Sequence, residues 1–138
     1  MNLSEIKSRY KGIQSKLSSI DDYGCLFLCL CSIIEEVTGT TADVFSIIQE
    51  SMTKGWLKTD YTCADSISIL KRFTGKRFSR TITKTLPLGL KESQFTVEKW
   101  YNPRTGYTHF KRRFVDTLSS SVTVKEGYIK EYYIYSYA

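Results

Sequence analysis

Residues 21–37 read DDYGCLFLCLCSIIEEV and contain the longest apolar run of the chain, from Cys25 to Cys31. The run follows a turn-like acidic cluster, and Gly39 provides a natural stop beyond Val37. Because its apolar residues point to nearly every side, the pattern predicts a central, buried helix rather than a surface helix. Its first residue, Cys25, lies beside a polar loop, so we expect it to reach a cleft while the helix body fills the core.

Shorter helices are predicted on both sides of this segment. The apolar spacing from Leu3 to Leu17 indicates a marginal helix, weakened by Gly12. Further helices are predicted from about Ala42 to Met52 and from about Asp65 to Phe73, each with one apolar face and a glycine beyond its end. The chain from residue 1 to 75 is therefore expected to be helical.

From residue 76 to 138, β-branched and aromatic residues alternate with polar ones, a pattern typical of strands. The chain is therefore predicted to be one α+β domain, in which the helical half packs on a small antiparallel sheet. Hairpin turns are predicted at 102–106 and 125–127. The predicted strands are Arg77 to Leu86, Phe95 to Tyr101, Tyr107 to Val115, Ser121 to Val124 and Tyr128 to Tyr135.

The composition is that of an ordinary globular protein with a basic balance. The chain has 20 Lys and Arg against 14 Asp and Glu, a net charge of +6, which favours an anionic partner such as nucleic acid or a cell-wall polymer. No segment approaches the roughly 20 apolar residues of a membrane-spanning helix. The apolar run follows two aspartates rather than a basic start, which excludes a signal-peptide core. We therefore expect a cytoplasmic protein that does not enter a membrane.

Four cysteines and a single histidine limit the metal and redox chemistry. The sequence contains no CxxC pair, and one histidine cannot complete a usual zinc finger. We therefore expect neither a structural zinc site nor another cofactor, and no disulfide framework, since nothing marks the chain as secreted. Cys29, Cys31 and Cys63 are interpreted as core residues, and Trp56 as a core anchor.

Cys25 and His109 form the candidate catalytic pair. A cysteine in the first turn of a helix faces unpaired N–H groups and the positive end of the helix dipole, which both favour the thiolate. Gly24 leaves room for a ligand backbone. An imidazole facing this thiol would complete a nucleophile with its general base, and His109, on a predicted strand of the other half, is the single candidate. The alternative is a buried inert cysteine and an unrelated polar histidine.

The segment from Asp22 to Leu28 resembles the nucleophile region of small papain-like cysteine peptidases. The whole chain is similar to an uncharacterised papain-like family of bacteria and phages. This resemblance implies a papain-like fold in which Cys25 is the nucleophile, His109 the base and Asp116 the group that orients the imidazole; it implies no substrate. The other motifs that carry it, between about residues 20 and 130, are Gly55-Trp56-Leu57, Asp60, Cys63, Thr108-His109-Phe110 and Asp116-Thr117-Leu118-x-x-Ser121-x-Thr123-Val124-x-x-Gly127.

Two features depart from the papain-like pattern. The glutamine that donates to the oxyanion is missing shortly before Cys25, where Asp21 and Asp22 stand and Gln14 is the nearest glutamine. Loss of one such donor typically costs about 100- to 1,000-fold in rate. In addition, His109 and Asp116 are seven residues apart, so on an unbroken strand they point to opposite faces. A triad therefore requires a bulge or bend near residues 111–114.

Two functions fit these patterns. The first is a thiol peptidase or amidase that acts on a peptide, a protein or a peptidoglycan-type amide through an acyl-thioester. The second is a catalytically inactive binding module, in which the basic and aromatic residues of 99–104 and 111–113 contact an anionic partner such as nucleic acid. The same residues are also typical of a solvated hairpin edge, which we favour over a nucleic-acid site. The patterns leave the substrate and the oligomeric state open.

Overall fold

The computed structural model describes residues 24–113 and 125–138. Over these residues the chain is α+β, with three helices and one four-stranded antiparallel sheet, so the predicted class is confirmed. The predicted helix from Leu3 to Leu17 and the predicted strand from Ser121 to Val124 lie outside the described residues. The elements are α1 (Cys25–Thr38), α2 (Val44–Thr53), α3 (Ser66–Thr74), β1 (Phe78–Thr83), β2 (Gln94–Tyr101), β3 (Thr108–Arg112) and β4 (Tyr128–Tyr137).

Helix α1 is the buried central helix that the sequence predicts. It begins at Cys25, and the four consecutive residues Phe27, Leu28, Cys29 and Leu30, which point to different sides of the helix, are all buried. The helix ends at Gly39, whose φ of 72° lies in the left-handed region and whose N–H donates to the carbonyl of Glu35. A residue without Cβ adopts this conformation at little cost, which explains why the helix stops there.

The two shorter helices begin at aspartate caps. The side chain of Asp43 accepts the N–H of Ser46 at the start of α2, and Asp65 accepts the N–H of Ser68 at the start of α3. The predicted start of α2 at Ala42 is therefore two residues early, because the capping carboxylate is Asp43. Both caps satisfy backbone donors that a helix start otherwise leaves without an intrahelical partner.

The strands follow the order β1-β4-β2-β3, so the last strand lies between the first two. Strand β4 pairs with β1 on one side and with β2 on the other. A central position suits its aromatic residues, because Tyr135 is fully buried and Tyr133 and Tyr137 pack against the core. Strand β3 pairs with β2 at the end of the sheet.

The helices cover one face of this sheet. Helix α1 contacts α3 and β3, and α3 also contacts β1. The side chains of Phe95 and Val97 on β2 belong to the core that the helices share with the sheet. The hydroxyl of Tyr135 on β4 donates to Ser66 Oγ at 2.9 Å and joins the start of α3 to the middle of the sheet. No helix among the described residues is long and apolar enough to cross a membrane.

Candidate active site

Cys25 is the first residue of α1, and its side chain is 7% exposed. The residue before it, Gly24, occupies the N-cap position and offers no side chain that could cap the helix. The first turn carries no acidic residue. The positive end of the helix dipole therefore meets a thiol where the other two helices have a carboxylate. The dipole favours the thiolate, whereas the burial of Cys25 opposes it.

The Cys25 thiol contacts strand β3 directly. The backbone N–H of Phe110 donates to Cys25 Sγ at a nitrogen–sulfur distance of 3.5 Å. The N–H of Arg113 donates instead to the carbonyl of Thr96 on β2. Because donors alternate in direction along a strand, the N–H of Phe110 points away from β2. The thiol thus lies beside the edge of β3 that faces away from β2.

His109 lies on β3 immediately before this contact. The Phe110 nitrogen is one peptide bond away from it, so the Cys25 sulfur is at most about 6 Å from the Cα of His109. The side chain of His109 is half-buried, and its cross-strand neighbour on β2 is Trp100. Strand alternation directs its Cβ to the face opposite Phe110, whose ring packs against the core. The structure therefore brings together the backbone positions of the two residues that the sequence singles out.

The surroundings of Cys31 and Cys63 disfavour their thiolates. Cys29 and Cys31 are fully buried within α1, and burial raises the pKa of the Cys31 thiol well above its usual range. Burial likewise raises the pKa of the Cys63 thiol to about 12. A thiol must ionise to attack a carbonyl, so Cys31 and Cys63 stay in the unreactive form at neutral pH. The interpretation of Cys29 and Cys31 as core residues is confirmed.

Asp116, the third residue of the candidate site, lies outside the described residues. The structure does show where the strand that carries His109 ends. Strand β3 stops at Arg112, and Arg113 lies in a turn. Strand β3 therefore ends three residues before the predicted end at Val115, within the segment where a triad requires the chain to bend.

The basic residues of the β2–β3 hairpin are held by acidic partners on the same chain. Lys99 Nζ lies 3.4 Å from a carboxylate oxygen of Glu131, and Arg104 Nε lies 2.7 Å from one of Glu126. Positive charges that are already neutralised in this way attract phosphate groups less strongly. These ion pairs weaken the case for a nucleic-acid site on the hairpin.

Arg112 corrects the interpretation of residues 111–113 as a solvated edge. Its residue exposure is 6%, because strand alternation places its side chain on the helix side of β3, as it does for Phe110. Its Nη1 donates to Ser32 Oγ at 2.9 Å and lies 2.7 Å from a carboxylate oxygen of Glu36. Arg112 follows Phe110 by two residues and so points to the same face of the strand. This spacing is the sequence signal that could have revealed the burial of Arg112.

Glu98 is a buried carboxylate that the sequence analysis did not single out. It is 5% exposed, accepts a hydrogen bond from Trp100 Nε1 at 3.1 Å and lies 3.3 Å from Arg113 Nη1. In the β2–β3 register it stands opposite Lys111, which makes it a diagonal neighbour of His109 on the same face. The face of the sheet that carries His109 therefore also holds a buried ion pair between Glu98 and Arg113.

The described residues contain no group of three or more His, Cys, Asp or Glu side chains that could hold a metal ion. At the candidate site the chain places a thiol at a helix start, a backbone donor at its sulfur and an imidazole on the adjacent strand. Comparison of the chain with protein-family models, with curated proteins and with solved structures finds no match.

Proposed function

We propose that the chain is a papain-like thiol hydrolase, a peptidase or amidase whose nucleophile is Cys25 and whose general base is His109. The observation that carries the proposal is the hydrogen bond from the Phe110 N–H to Cys25 Sγ, which joins the start of the central helix to the strand of the single histidine. A buried helix that begins at the cysteine and packs on an antiparallel sheet supports a papain-like arrangement.

In the proposed reaction, the Cys25 thiolate attacks the carbonyl carbon of an amide, and the His109 imidazolium donates a proton to the leaving amine. Water, deprotonated by the imidazole, then hydrolyses the acyl-thioester and restores the thiol. The helix dipole and the Phe110 N–H favour the thiolate before the attack. The backbone N–H of Cys25 is the proposed oxyanion donor, and Asp116 is the proposed group that orients the imidazole.

The proposed substrates are amides of a peptide, a protein or a peptidoglycan-type polymer. The net charge of +6 favours substrates that carry negative charge. Cys31 and Cys63 form no disulfide in the structure. Thiols persist in reducing compartments, and the proposed location of the reaction is therefore cytoplasmic.

The alternative is a papain-like binding module without activity. Lys99 and Arg104 form ion pairs with acidic residues of the same chain, so they do not specifically support a binding module. The binding module therefore remains as one outcome of the test. Hydrolysis should be followed with fluorogenic peptide amides and with peptidoglycan fragments, in the wild type and in three variants. These are Cys25→Ser, His109→Ala and, as a matched thiol control, Cys63→Ser.

We expect Cys25→Ser to abolish turnover, His109→Ala to lower it by about 100- to 10,000-fold, and Cys63→Ser to keep it. Turnover that survives in Cys25→Ser would refute the proposed nucleophile. If no amide is hydrolysed and Cys25 reacts with iodoacetamide no faster than Cys63, the binding module is the correct alternative.

A further inference from the structure

Helix α1 touches strand β3 at a second point, two residues beyond the contact with Cys25. Arg112 Nη1 lies between Ser32 Oγ, at 2.9 Å, and a carboxylate oxygen of Glu36, at 2.7 Å. Ser32 and Glu36 are four residues apart and therefore occupy one face of the helix, on consecutive turns. A single nitrogen thus links β3 to two successive turns of α1.

The guanidinium is also fixed from the side of the sheet. Its central carbon lies 5.5 Å from the ring centroid of Phe95 on β2, within the range of a cation–π contact. Within the described part of the chain, Arg112 Nε is buried without a hydrogen-bond partner. Burying a cation with one unsatisfied donor costs free energy. The hydrogen bond to Ser32 and the ion pair with Glu36 offset this cost only while α1 keeps these acceptors close to Arg112 Nη1.

The two contacts between α1 and β3 lie on matching faces. Cys25 and Ser32 are seven residues apart, close to two helical turns, and so share one face of α1. Phe110 and Arg112 are two residues apart and share a side of β3. Two contact points fix both the sliding and the rotation of a helix on a strand, whereas one point leaves it free to pivot.

We infer that Arg112 is a positioning residue for the proposed site: by holding Ser32 and Glu36 it sets the place of Cys25 Sγ beside the Phe110 N–H and His109. The inference rests on the proposed function, since it assigns Arg112 a role in the geometry of that same pair. Without the contacts of Arg112 with Ser32 and Glu36, the apolar packing of α1 remains but its polar contacts with β3 beyond Cys25 are lost. The start of the helix then shifts on β3, and the thiol loses its alignment with the groups that favour the thiolate.

The test is the rate of Cys25 alkylation by iodoacetamide as a function of pH, measured by peptide mass mapping on the full chain. Arg112→Met removes both contacts with α1 and keeps most of the side-chain length. Arg112→Lys keeps the charge and one donor group, and Ser32→Ala removes one contact only. The matched control is Tyr135→Phe, which removes the buried hydrogen bond between α3 and β4, away from Cys25.

For Arg112→Met we expect the midpoint of the profile to rise by about one pH unit, which is about a tenfold slower reaction at neutral pH. Arg112→Lys and Ser32→Ala should shift it less, in the same direction, and Tyr135→Phe should leave it unchanged although it lowers the melting temperature. If Arg112→Met does not fold, the inference is tested with Ser32→Ala, whose alkylation profile should also lie at higher pH than that of the wild type.

A profile that is the same in these Arg112 and Ser32 variants as in the wild type would overturn the inference. So would an equal shift in Tyr135→Phe, because the effect would then reflect general loosening of the fold. A separate result would refute the proposed function itself: an alkylation profile of Cys25 in His109→Ala that is the same as in the wild type. A profile that depends on His109 but not on Arg112 refutes the role of Arg112 alone.

Discussion

The helix that begins at Cys25 and the helix that begins at Ser66 both bury their first residue against the sheet, but they start in different ways. Asp65 caps α3 with its carboxylate, and the Ser66 hydroxyl is hydrogen-bonded to Tyr135 on a central strand. Helix α1 starts after Gly24, and its first side chain meets a backbone N–H of strand β3 at the end of the sheet.

The carboxylate cap of α3 stabilises the fold, whereas the start of α1, without such a cap, is suited to a reactive thiol. A capping carboxylate satisfies backbone donors and lowers the free energy of the fold, but beside a thiol it would oppose formation of the thiolate. Gly24 has no side chain that could form such a cap, so within the described part of the chain no capping carboxylate stands at the positive end of α1. The following predictions test this comparison.

The largest expected effect is the difference in reactivity between Cys25 and the other thiols. Burial raises the pKa of Cys63 to about 12, whereas Cys25 lies at a helix start with a donor at its sulfur. Alkylation of the native protein at neutral pH should therefore modify Cys25 at least about 100-fold faster than Cys63. Limited labelling with peptide mass mapping measures the ratio. Preferential labelling of Cys63 or Cys31 would contradict the comparison.

A smaller effect is expected when α1 receives the type of cap that α3 has. Gly24→Asp and Gly24→Asn introduce side chains of nearly equal shape that differ in charge. We expect Cys25 to react about tenfold more slowly at neutral pH in the Asp variant than in the Asn variant, because the carboxylate disfavours the thiolate. Equal rates in the two variants would show that the uncapped start has no electrostatic role.

The reciprocal change concerns the cap of α3. Asp65→Ala should lower the free energy of unfolding by about 1 kcal/mol and leave the alkylation of Cys25 unchanged. The hydrogen bond from Ser68 lowers the pKa of Asp65, so this stabilisation is present above about pH 4 and is lost as the pH falls through the lowered folded-state pKa. Urea unfolding at neutral pH and at pH 3 measures both effects. A variant that loses as much stability at pH 3 as at neutral pH would exclude the cap as the cause.

The sequence predicts the local features of this molecule well. The segment from Cys25 to Val37 is apolar on nearly every side and too long for a typical buried strand, and Gly24 and Gly39 mark its ends. Helix α1 is therefore predicted to within one residue of the observed Cys25–Thr38. The turn around Asn102 to Gly106 is predicted for the same reason, because turn residues act on the neighbouring backbone.

Long-range features are predicted less well because several pairings satisfy the same local pattern. The placement of β4 between β1 and β2 depends on pairings such as Phe78 with Tyr137 and Tyr101 with Tyr128, which lie far apart in the sequence. The burial of Arg112 depends on acceptors of α1 that the chain places about eighty residues earlier. In a run of three basic residues, charge alone predicts solvent exposure, and only the partners Ser32 and Glu36 explain why Arg112 is buried.

The central claim is that the Cys25 thiol and the His109 imidazole act as one unit, and the alkylation profile of Cys25 against pH tests it most directly. In the wild type we expect rapid alkylation to extend to pH values well below the usual range of a thiol, because the imidazolium stabilises the thiolate. His109→Ala should move the rise of the profile upward by at least about one pH unit. A profile that is the same in the wild type and in His109→Ala would contradict the pair.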